Sequence, residues 1–111
     1  MNIDTEKGTI EVKSWHENYV LEASGIKPYT HRVVTMAEAD MLRSLEVSIR
    51  EEGRAATIVV TDADSKLDQP ASVRRQVTNI NFAGLRYGHD EATISWRHVP
   101  MEEPATFSSN S

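Results

Sequence analysis

The chain predicts an α+β domain: an antiparallel sheet of about five to six strands with one main amphipathic helix packed on one face. Three observations carry that reading. Apolar and polar residues alternate before Trp15 and again before Arg97, the period of a half-buried strand. The stretch from Thr35 to Gly53 has helical periodicity with a start and a stop signal. Directly after it, Ala55–Thr61 is rich in β-branched residues and too short for a helix.

In chain order, residues 1–7 are polar, with only Ile3 able to tie them to a core, and read as a flexible N-terminus. A single domain is expected over 8–99. Ile10 and Val12 alternate with Glu11 and Lys13, while Tyr19, Leu21 and Ala23 alternate with Val20 and Glu22. The two runs read as a hairpin closed by Ser14–Asn18, although no Asn-Gly or Asp-Gly turn marks it. Ser24–Pro28 is a loop, since the proline biases Lys27 away from helical angles. Tyr29–Val34 reads as a third strand or an extended lead-in.

The helix opens at Thr35, which forms a capping box with Glu38 three residues on. Ala37, Met41, Leu42, Leu45 and Ile49 make its apolar stripe, and Gly53 supplies the left-handed stop. After the strand that follows, Thr61–Gln69 is a polar loop. Val73, Val77 and Ile80 then have helical spacing, but Val77–Phe82 is poor in helix formers. A short helical turn near Pro70 followed by a strand fits best, with helix and strand both open over 70–82. Leu85–Glu91 reads as a connecting loop and Ala92–Arg97 as an edge strand. Residues 100–111 read as a flexible tail.

Composition narrows the function classes. The 111 residues include no cysteine, which removes disulfides, thiolate catalysis and Cys-based metal centres. No apolar run approaches the roughly 20 residues of a membrane span, and the first residues are too polar for a signal peptide, so a soluble cytoplasmic protein with no membrane partner is expected. The net charge of −5 disfavours phosphate backbones as default partners. Residues 71–99 reverse that balance, with 4 basic against 2 acidic side chains.

Motifs for cofactor or metal chemistry are missing. The five glycines form no phosphate-binding loop. Asp62, Asp64 and Asp68 begin like a calcium loop, but Lys66, Leu67 and Val73 occupy positions that need a ligand, a glycine and a glutamate, so a solvated turn is the better reading. No metal and no cofactor is therefore expected. The four histidines lie in no recognised catalytic pattern.

Three functional readings follow. The first is a small acidic interaction module, such as an inhibitor, adaptor or immunity-type protein, that binds another protein stoichiometrically. Its surface would be the outer face of the helix, with Met36, Asp40, Arg43, Val47 and Arg50, or the exposed side of the first strand at Trp15. A homo-oligomer formed through an edge strand belongs to the same class. The second is an enzyme using the loop of His89, Asp90 and Glu91, which sets a base beside two carboxylates; it requires these groups to meet Asp62 and Asp64 in one pocket. The third is a nucleic-acid binder using Arg74, Arg75, Arg86 and Tyr87, near the aromatic Phe82 and Trp96.

Overall fold

The computed structural model describes residues 1–64, 70–86 and 89–98. Eight elements follow one another: β1 (Asn2–Asp4), β2 (Thr9–Ser14), α1 (His16–Ser24), β3 (Tyr29–Val34), α2 (Met36–Glu52), β4 (Thr57–Asp62), β5 (Ser72–Arg86) and β6 (His89–Trp96). The strands form one curled sheet in the order β1-β2-β4-β5-β6-β3. The α+β class is as expected, but the sheet is mixed and the described residues form two helices.

The purely antiparallel sheet and the first hairpin fail together. Tyr19–Ala23 is helical, so β2 has no hairpin partner after it and instead pairs in parallel with β4, Ile10 opposite Ile58 and Val12 opposite Val60. Parallel neighbours need a long crossover, and here it consists of α1, β3 and α2. The N-terminus also differs from expectation. Asn2–Asp4 pairs with Thr9–Glu11, Ile3 packs on the core, and the Asp4 carboxylate accepts from Lys7 N at 2.9 Å to set the turn.

Cross-strand register places the buried apolar side chains of the strands on one face. Ile10, Ile58 and Arg75 form one row and Ile80, Ile94 and Thr30 another. The helical spacing of Val73, Val77 and Ile80 has a simple origin. The register slips between Val77 and Asn79, and the extra residue re-phases the strand so that Val77 and Ile80 both point inward. Residues 72–86 are strand throughout, and the expected loop at 85–91 is largely strand as well.

Helix α2 has both signals read from its sequence. Thr35 Oγ1 accepts from Glu38 N at 3.1 Å, the Glu38 carboxylate accepts from Thr35 N at 2.9 Å, and Gly53 adopts φ 66°. Its buried stripe is Ala39, Leu42 and Leu45, flanked by the partly buried Ile49; Ala37 and Met41 fall outside it. No described helix is long and apolar enough to cross a membrane.

The curl brings the outer strand β3 round towards β2. No backbone pairing joins them, and β1 covers only the first half of β2, at Thr9–Glu11. Arg32 on β3 crosses the remaining seam, where its Nη1 donates to the Lys13 carbonyl of β2 at 2.9 Å.

Candidate functional site

Helix α1 covers one end of this seam, and its ends are stabilised by other elements. Trp15 occupies the N-cap position and makes no side-chain cap. Instead the Asp64 carboxylate, 48 residues away, accepts from His16 N at 2.7 Å. His16 Nδ1 donates to Asp62 at 2.7 Å, and Asp64 N donates to the other Asp62 oxygen at 2.9 Å. Ala63 N donates to the Ser14 carbonyl at 2.8 Å, fixing this turn beside the end of β2. Two carboxylates at a helix N-terminus also suit its dipole.

The opposite end follows the same logic. The last carbonyls of a helix lack partners within it. Here Leu21 O accepts from Lys27 N at 3.0 Å and Ala23 O from the buried Arg75 Nη2 at 3.2 Å. Gly25 provides the left-handed residue at φ 86° and packs against the His98 ring. Electrostatics at the N-terminus follow from the pair. The hydrogen bond and charge of Asp62 raise the His16 pKa above its ordinary 6.5, and the hydrogen bond from His16 holds the Asp62 carboxyl below its ordinary 3.8. Burial raises the Tyr19 phenol above its usual range.

Between α1 and β3 the seam opens into a cleft of about 340 Å³, at the small end of ligand sites. Its floor is a chain of buried polar groups. Glu22 is 1% exposed and its carboxyl accepts from Ser14 Oγ at 2.7 Å; Ser14 Oγ accepts in turn from Arg32 Nη2 at 2.8 Å. Arg32 Nε donates to Oγ1 of the buried Thr30 at 3.0 Å. Lys13, Lys27, Asn18 and the 69%-exposed Trp15 complete the rim. Lys27 lies 5.5 Å over the Tyr29 ring, a cation–π distance. The arrangement can hold an anion beside an aromatic surface.

Among the described residues, Trp15 is the one candidate interface residue that lines this cleft, together with His31, one of the four histidines. Met36, Asp40, Arg43, Val47 and Arg50 do share the outer face of α2, with Met36 82% exposed. The arginines there are engaged locally. Arg43 stacks 4.8 Å over Phe82 and pairs with Asp40, while Arg50 pairs with Glu46 and Glu51.

The nucleic-acid set divides. Arg74 is exposed on the convex face, whereas Arg75 is buried beneath α1, because successive strand residues point to opposite faces. Arg75 is thus withdrawn from any phosphate platform, and Trp96 is a core residue. The Arg86 side chain and Tyr87 lie outside the described residues.

The proposed enzyme loop does not converge with the aspartates. Asp62 stands beside the start of β5, whereas His89 pairs with Arg86 at its other end. Glu91 meets His31 instead, accepting from Nε2 at 2.6 Å, with Thr93 Oγ1 2.8 Å from Nδ1. The side chains of His89 and Asp90, and the whole of Asp68, lie outside the described residues. Among the described residues no cluster of three or more potential ligands could hold a metal.

Sequence reasoning missed Ser14, Glu22, Lys27, Thr30 and Arg32. No local signal marks them, since the inward Glu22 reads in sequence as a solvent-facing position of the Tyr19–Ala23 alternation. Comparisons with protein-family models, with curated proteins and with solved structures found no match to this chain.

Proposed function

We propose that this chain is a small acidic binding module of the cytoplasm that acts by stoichiometric association with another protein, and that the seam cleft is its recognition site. The observation that carries this reading is the pairing of a highly exposed tryptophan with a fixed arginine in one concavity. Trp15 is 69% exposed at the lip, and Arg32 is held by three hydrogen bonds at the floor. Tryptophan and arginine dominate interface energetics, because each combines a large contact area with directed donors. The outer face of α2 is the weaker candidate, since its arginines already have neighbours that a partner would have to displace.

The test is retention of partners from native-host lysate on three baits: the wild-type protein, Trp15→Ala, and Arg43→Glu/Arg50→Glu. A stoichiometric protein should be held by the wild type and by the double variant and lost from Trp15→Ala. Retention by Trp15→Ala with loss from the double variant would move recognition to α2. If the wild type retains nothing at stoichiometric level, the binding-module reading fails.

A further inference from the structure

We propose that Arg32 reads a single carboxylate on the ligand that enters the seam cleft, so that the site takes a small organic acid or the C-terminal carboxylate of a peptide. This deepens the reading of the cleft as a recognition site and rests on it. A guanidinium carries five N–H donors. Three are committed: Nε to Thr30, Nη1 to the Lys13 carbonyl and Nη2 to Ser14. One N–H remains on each terminal nitrogen, and such a pair can engage both oxygens of a carboxylate.

The arginine is also preorganised. Thr30 and Ser14 are 2% and 4% exposed, so their oxygens are fixed by the core, and the loss of Arg32 rotamer freedom accompanies folding rather than binding. Lys13 and Lys27 add positive charge at the rim, against the carboxyl of Glu22 beneath Ser14. With Arg32 they outnumber that carboxyl, so the cleft carries a positive excess that favours an anion. Inorganic phosphate has no apolar group to lay on the Trp15 indole, so an organic acid is the better occupant. The volume, about 340 Å³, suits one or two residues, and the Trp15 indole offers apolar surface for the group that bears the acid.

The experiment is a ¹H–¹⁵N NMR titration of the full-length protein, following the Trp15 and Arg32 Nε–H resonances. The probes are acetyl-glycyl-leucine, its C-terminal amide, propionate and inorganic phosphate. The free acid should shift both resonances to saturation, with the amide and phosphate at least about tenfold weaker. Arg32→Lys should weaken the acid by about tenfold or more, because an ammonium offers no fork; an unchanged Trp96 resonance checks that this variant is folded. Propionate binding as tightly as the dipeptide identifies free acids as the ligand, and a preference for the dipeptide identifies a chain terminus.

Equal affinity for acid and amide, or no shift at either resonance up to about 10 mM acid, overturns the proposal. So does undiminished binding by folded Arg32→Lys. If that variant unfolds, the acid–amide comparison on the wild type decides alone. Failure here with a lysate partner still lost from Trp15→Ala would leave the binding module standing and remove only the carboxylate.

Discussion

Replacing Asp64 probes the link that holds α1 in place and so shapes the cleft. Asp64→Ala removes the acceptor of His16 N, a 2.7 Å bond that satisfies an otherwise orphaned donor in the first turn. Loss of an N-terminal cap costs about 1 kcal/mol. Loss of the carboxylate from the helix dipole adds about 0.3 kcal/mol. Asp64→Asn keeps the oxygen and loses only the charge, so it should cost roughly 0.3 kcal/mol against roughly 1.3 for alanine. In urea, with an m-value of about 1.5 kcal/mol/M, the alanine variant should unfold roughly 0.9 M earlier and the asparagine variant roughly 0.2 M earlier. Alanine should also lower Tm by roughly 5–8 °C. Equal losses for the two variants, or a wild-type midpoint for alanine, would refute the remote cap.

The His16–Asp62 pair makes stability depend on pH in a defined direction. Its His16 contribution is fully present below the ordinary 6.5 and lost as pH rises through the raised folded value; the Asp62 contribution is present above 3.8 and lost as pH falls through its lowered value. Thermal melts should therefore show a wild-type decline above about pH 6.5 that is flattened in His16→Gln, and equal slopes would contradict the pairing. Gly25→Ala should cost roughly 1–2 kcal/mol for its positive φ, plus a clash that Gly25→Ala/His98→Ala relieves, since a Cβ there would lie 2.5 Å from the His98 ring. Strictly additive denaturation energies in that cycle would rule out the contact. Leu42→Ala, at a fully buried site, should cost about 2–5 kcal/mol, whereas Met41→Ala, at the edge of the stripe, should cost about 1 kcal/mol or less. Similar losses would place the helix in a different rotation on the sheet.

What could be read from sequence was what local residues determine. Helix α2 carries its own capping box and its own terminal glycine, and β2, β4 and β6 bury alternate residues. Helix α1 was hidden because its N-terminal acceptor is Asp64 and one of its C-terminal donors is Arg75, each far along the chain. The inward Glu22 also interrupts the apolar period that would have announced a helix. The aspartates of the 62–64 turn were visible as a cluster, but their role as a remote cap depends on the parallel pairing of β2 with β4. That pairing is a long-range outcome of the crossover. The cleft was illegible for the same reason: its walls come from β2, α1, β3 and the turn after β4, and only the curl of the sheet brings Arg32 to Ser14.

Hydrogen exchange of the wild-type protein, alone and bound to the partner retained from lysate, tests the central claim most directly. Recognition through the seam cleft predicts protection on binding at residues 13–18 and 27–32, with the exposed turns of α2 unchanged. Protection confined to residues 36–50, with the cleft segments exchanging as in the isolated protein, would contradict it.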